Sequence, residues 1–168
     1  MKIKVKKLNP NAQIPTYGDD GAAAMDLYAC IEDIKADDSN SSALDTYGAK
    51  IYTHIGNTIT IPPHTTVKVG TGLAFEPPKG YAGFIYARSG LSTKNGLRPA
   101  NCVGVCDESY RGEYIVVLHN DSDFSQTVHN GDRIAQLIFM PVERAELVET
   151  NKLNYTKRGE NGFGSTGR

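Results

Sequence analysis

A chain of 168 residues with 39% hydrophobic and 22% charged residues can bury one core and stay soluble. Its net charge of −1 argues against the broad basic face by which proteins grip long nucleic acid. No run approaches the ~18 apolar residues of a membrane span, and the start lacks a signal-peptide stretch, so a soluble cytoplasmic or other intracellular protein is expected.

No helical period is evident along the chain. Short runs with strand character recur instead, beginning at residues 3–5, where Lys2, Lys4, Lys6 and Lys7 read as a solvated strand edge. In 22-AAAMDLYA-29, Asp26 is a single acid in apolar context, which fits a hydrogen-bonded core carboxylate or an acid facing a site. Residues 33–57 begin Ser/Asp-rich, turn weakly amphipathic, and read as an inserted excursion, partly ordered at best. Strand-like runs resume at 58–61, 66–69 and 84–87, with Pro62-Pro63 and Pro77-Pro78 between them.

The run 84–87 leads into 88-RSGLS-92. Arg88, Ser89 and Gly90 place a cation, a hydroxyl and an unhindered backbone amide together, which suits a phosphate oxygen or an ordinary turn. In 101-NCVGVCDESYRGE-113, Gly104 marks a close approach to the backbone. Asp107 either accepts a proton from water or caps the turn of a hairpin. The three cysteines, Cys30, Cys102 and Cys106, form neither an even disulfide framework nor a zinc site and are expected buried in strands.

Residues 114–118 (YIVVL) are apolar throughout and predict a strand buried on both faces. In 131-GDRIAQLIF-139, Gln136 is a single amide in an apolar run. The chain ends in 158-RGENGFGSTGR-168, where Arg158 brings a guanidinium fork and Ser165 and Thr166 bring donors suited to phosphate. It lacks the lysine and helix of a Walker loop, and alone reads as a mobile terminus. Many short strands between turn signals predict an all-β sandwich or jelly roll.

Taken in order, AxDLYA, RSGL, GVxDxxYRGE, GDRIAQLIF and RGxxGFGSTG resemble the motifs of the deoxyuridine triphosphatase (dUTPase) family. The resemblance covers nearly the whole chain outside 33–57. It implies a distorted jelly roll of the β-clip type in a homotrimer, with residues 1–157 as the β domain and 158–168 as a flexible lid exchanged over a neighbouring active site. Each site would take motifs from all three subunits. The reaction implied is dUTP plus water to dUMP and pyrophosphate with Mg²⁺, which limits uracil incorporation into DNA and supplies dUMP for thymidylate synthesis.

Carried onto this chain, Asp107 matches the general base and Arg88, Ser89 and Gly90 the phosphate-binding turn. Asp26 and Gln136 match the acid and amide that meet the triphosphate and its hydrated metal, through water rather than as direct ligands. A hairpin from Asn101 to Tyr110 would bind uracil, with Asn101, Gly104 and Val105 at the base and Tyr110 under the deoxyribose. Phe163 would stack on the uracil, while Arg158, Gly164, Ser165 and Thr166 hold phosphates.

The chain departs from the family pattern at Ser109, where an acid is usual, at Ala24, and at Asn161, which replaces a frequent glycine and is expected to tolerate positive φ. Residues 33–57 exceed the family's usual connection. Two alternatives stand beside the main reading: dCTP deaminase of the same superfamily, including bifunctional forms, and a trimer with an added regulatory binding role.

Overall fold

The computed structural model describes residues 1–32 and 53–162. In chain order the elements are β1 (Lys4–Lys7), β2 (Thr16–Tyr17), β3 (Met25–Tyr28), β4 (Thr53–Ile55), β5 (Thr58–Ile61), β6 (Thr66–Gly70) and β7 (Leu73–Glu76). They continue with β8 (Tyr81–Tyr86), α1 (Ser89–Asn95), β9 (Leu97–Pro99), β10 (Val103–Cys106), β11 (Ile115–Asn120), β12 (Gln126–His129) and β13 (Arg133–Pro141). Among the described residues the protein is therefore all-β with one short helix.

The strands form four sheets: β1-β7, β10-β8-β13-β3-β2, β6-β11-β9 and β12-β5-β4, with antiparallel pairing in each. Antiparallel sheets commonly bury one face and wet the other, and the sequence alternates to match. Val67 and Val69 of β6 are buried while Lys68 between them is exposed. The apolar run 114–118 obeys the same rule rather than the expected burial on both faces: Tyr114, Val116 and Leu118 are buried, but Ile115 is 39% exposed. Continuous hydrophobicity there outruns what one covered face requires.

Three other expectations change. The turn expected at 88–92 opens a helix, α1, that ends at Gly96 in the left-handed region (φ 69), whose N–H bonds the Leu91 carbonyl. Residues 53–57 belong to the β4–β5 hairpin, turned through Gly56 at φ 59, while 33–52 lie outside the described residues. Cys102 is exposed and Cys30 and Cys106 are partly covered, so none is a fully buried strand cysteine.

The core gathers where the sheets face one another. Leu27, Val69, Leu73, Tyr114, Leu118 and Leu137 are each fully enclosed, and burying a large apolar side chain contributes roughly 1.5–3 kcal/mol. Phe75 packs on Tyr114 with ring centroids 4.6 Å apart. β8 comes close enough to Tyr114 that a Cβ at Gly83 would lie 2.9 Å from its ring. Asn120, fully buried, fastens the loops: its Nδ2 reaches the carbonyls of Ile61, Pro62 and Phe124 at 2.8 to 3.0 Å. After β13 the segment 142–162 is exposed throughout and carries no strand, with Leu147 92%, Val148 79%, Leu153 82% and Tyr155 92% exposed.

Candidate active site

The five-stranded sheet lines up the polar residues that the sequence scatters. Its register sets Thr16 opposite Asp26, Asp26 opposite Gln136, Gln136 opposite Tyr86 and Tyr86 opposite Val103. Residues paired in this way share a face, with Cβ atoms about 5 Å apart in each step. Asp26 and Gln136, 110 residues apart in number, are thus direct neighbours.

Asp26 is only 6% exposed. Burying a carboxylate demands charged partners, and it has two. Arg88 Nε lies 3.0 Å from Oδ1 and Arg133 Nη1 lies 3.2 Å from Oδ2. Arg88 also donates from Nη1 to the Arg133 carbonyl at 3.0 Å. Arg88 occupies the N-cap of α1 in extended conformation without capping it, because its side chain is committed to Asp26. One carboxylate between two guanidiniums leaves net positive charge facing the exposed Ser89 and Gly90. A Cβ at Gly90 would meet nothing within 4 Å.

Arg133 is the residue that sequence reasoning missed. It stands three before Gln136, and strict alternation would send the two to opposite faces. The β13–β3 register shifts between Arg133 and Ala135, however, so Arg133 pairs with Tyr28 and returns to the face of Asp26. A bulge re-aims a side chain in this way; nothing in the sequence marks it.

The second group clusters on and after β10. The stretch 101–110 is not a hairpin paired with itself: β10 is an edge strand whose partner is β8, and a turn follows in which Tyr110 N–H bonds the Asp107 carbonyl at 3.1 Å. Gly104 is buried, and its missing Cβ would lie 3.1 Å from Ile85 Cβ and 3.4 Å from Asn101 Nδ2. Val105 is 61% exposed. Asp107 is exposed, and its carboxylate has no hydrogen bond or ion pair among the described residues.

Tyr110 donates from its hydroxyl to the Glu113 carbonyl at 3.1 Å, and its ring stacks on Tyr114 at 6.1 Å and 27°. The segment beyond is clamped to the β6–β7 loop. Glu113 Oε1 accepts from Gly72 N–H at 2.7 Å, and Thr71 Oγ1 donates to the Tyr114 carbonyl at 2.6 Å.

Cys30 and Cys106 are held as thiols. Burial, above all, pushes the Cys106 thiol up to about 11 and raises Cys30, so both stay protonated near neutrality. Burial likewise raises the Tyr114 phenol, with Cys106 adding to it. Cys106 and Tyr114 are neighbours, yet the Tyr114 hydroxyl is buried without a hydrogen-bond partner among the described residues.

The two groups are well separated within one chain. Cys106 pairs with Gly83, and from Gly83 to Arg88 an extended chain advances roughly 17 Å. Arg88 moreover turns toward Asp26, away from β10. Of the tail, Arg158 is exposed and bonds the Asn161 carbonyl from Nε at 2.9 Å. The positive φ falls on Gly159 (φ 55), not on Asn161. Phe163, Gly164, Ser165 and Thr166 lie outside the described residues.

Comparison with known proteins gives the family and the fold. The dUTPase family profile matches residues 50–167. Deoxyuridine 5'-triphosphate nucleotidohydrolases from Hydrogenobaculum sp. and Nautilia profundicola are 38% and 39% identical, over 99% of both chains and 100% of both chains respectively. Among solved structures, a mutant dUTPase of Staphylococcus bacteriophage 80alpha with dUpNHpp shares the fold at TM-score 0.78 and 24% identity, covering 99% of each chain.

Proposed function

Because the chain belongs to the dUTPase family, we propose that it hydrolyses dUTP to dUMP and pyrophosphate. The observation that carries this is the family match across 50–167, which spans four of the five ordered motifs. It is a dUTP diphosphatase rather than a dCTP deaminase. No helix among the described residues is long and apolar enough to cross a membrane.

Asp107 is the general base in this reading. Its carboxylate is exposed and uncommitted, which suits it to orient and deprotonate a water for in-line attack on the α-phosphorus. A positioned base contributes typically ~10²–10⁴-fold. The remainder comes from holding the triphosphate in line and from charge stabilisation by Arg88, the Ser89 hydroxyl and the Gly90 amide. Asn101, Gly104 and Val105 on the β10 edge meet the uracil, and Tyr110 packs under the deoxyribose.

The separation of Asp107 from Arg88 supports a site shared between subunits of a homotrimer, since one chain's pair does not address one phosphorus. The exposed segment after β13, from residue 142 on, supports exchange of the tail. Its apolar residues Leu147, Val148, Leu153 and Tyr155 find no cover among the described residues. The groove beside β1 offers an apolar wall of Val5, Leu8, Ala74 and Phe75, with Lys4, Lys6, Arg111 and Glu76 around it. The tail from Arg158 through Phe163, Gly164, Ser165 and Thr166 then closes over a neighbour's nucleotide as a lid.

Mg²⁺ fits the donor set as an ion carried by the substrate. No group of three His, Cys, Asp or Glu among the described residues holds a metal, and both Asp26 oxygens already accept from arginines. Asp26 and Gln136 therefore suit contact with a hydrated ion through its waters. When bound, the ion neutralises charge on the phosphates.

Pyrophosphate release from dUTP, with dCTP run in parallel, tests the reading. Release from dUTP that falls at least ~10²-fold in Asp107→Asn is expected; ammonia from dCTP, or full activity in the mutant, contradicts it.

A further inference from the structure

Most glycines here with an evident structural role are required by backbone conformation. Gly56, Gly72, Gly80, Gly96, Gly131 and Gly159 all have positive φ. Gly112 is not among them, so its backbone accepts any L-residue. What the position does not accept is a side chain. A Cβ on Gly112 would stand 2.4 Å from Tyr110 Oη, 2.6 Å from Cζ and 2.9 Å from Cε2. The three nearest atoms all belong to one ring.

That ring is held on few other points. Its hydroxyl bonds the Glu113 carbonyl at 3.1 Å, and it stacks on Tyr114. It remains 44% exposed, so one face stays open to a ligand. The ring is the free end of a side chain, and a Cβ at 112 is relieved by turning it outward, not by breaking the turn. We infer that Gly112 is a specificity-determining position: its missing side chain is the seat of the Tyr110 ring, and so sets the clearance at the sugar's 2′ carbon. The inference rests on the reading that Tyr110 packs under the deoxyribose. Seated, the ring leaves no space for a 2′-hydroxyl; displaced, it relaxes the exclusion of ribonucleotides.

The test compares kcat/KM for dUTP and UTP in wild type, Gly112→Ala, Tyr110→Ala and the double variant. A pocket rejecting an added hydroxyl achieves ~10² in discrimination; Gly112→Ala is expected to give up at least ~10-fold of it. Tyr110→Ala shifts the ratio in the same direction, and adding Gly112→Ala to it changes nothing further. An unchanged ratio in Gly112→Ala beside a changed one in Tyr110→Ala overturns the inference. An unchanged ratio in Tyr110→Ala instead removes the sugar-packing reading on which it rests. If Gly112→Ala alone fails to fold, a double variant that does fold still locates the clash in the ring, whereas one that also fails overturns it.

Discussion

Arg133 reaches Asp26, Nη1 to Oδ2 at 3.2 Å, because the β13–β3 pairing slips between Arg133 and Ala135. The carboxylate thus has one arginine per oxygen. If Arg88 turns to a phosphate, Arg133 keeps Asp26 compensated. Arg133→Met is expected to lower stability by only about 1 kcal/mol, since its side chain is 52% exposed and solvent screens the pair. Its effect on dUpNHpp affinity should vanish in an Asp26→Asn background, where Arg133 has no charge to meet. Calorimetric titration of both singles and the double checks this; strictly additive losses contradict action through Asp26.

Gly90 separates fold from function in the opposite way to Gly112. It lies inside α1, lacks positive φ, and has empty space where a Cβ would go. Gly90→Ala should therefore raise stability by about 0.5–1 kcal/mol, the usual gain in a helix. It should also weaken dUTP turnover, because the Cβ obstructs a phosphate drawn to that amide. Denaturant melts beside steady-state kinetics measure both; a stabilised variant with unimpaired KM and kcat contradicts the phosphate-binding role.

Cys106 and Tyr114 predict loss of stability at high pH. Both acids have raised pKa in the fold, Cys106 from 9.0 to about 11, chiefly through burial. The folded state holds their protons more tightly than the unfolded state. The Cys106 contribution is therefore complete below the unfolded value near 9.0 and is lost as pH rises through about 11, and that of Tyr114 is lost at higher pH still. The melting temperature should be level from pH 7 to 8.5 and fall above 9, and Cys106→Ala should flatten part of that fall. At pH 7.5 iodoacetamide should label the exposed Cys102 well before Cys106, which peptide mass spectrometry reads directly.

Truncation after Lys157 removes the proposed lid while sparing the described sheets. The shortened chain is expected to keep its melting temperature within a few degrees and its oligomeric state, but to lose most dUTP hydrolysis and much dUpNHpp affinity. Retained activity in the truncated chain would sink the role given to Arg158 and the residues after it.

The strands with regular alternation were legible in the sequence because a period of two survives in any sheet that covers one face. Val67, Lys68 and Val69 show it plainly. The helix α1 was not legible: SGLSTKN has weak helix formers and spans only seven residues, too few to display a period. Its start follows from Arg88 being held by Asp26, a contact across 62 residues. The stretch 101–110 looked like a local hairpin, and β10 instead pairs with β8, because sequence adjacency does not decide strand partners.

By itself, the order of residue types determined the family and nominated Asp107, Asp26 and Gln136 as candidate site residues, since those depend on which chemical groups occur and in what succession. Tertiary structure alone decided three things: that Asp26 and Gln136 are direct neighbours, that a bulge brings Arg133 to them, and that the Tyr110 ring occupies the side-chain space of Gly112. The physical reason is common to all three. Register, bulges and ring packing are set by pairing between distant segments, and a one-residue slip reverses every side chain's face without altering any local pattern.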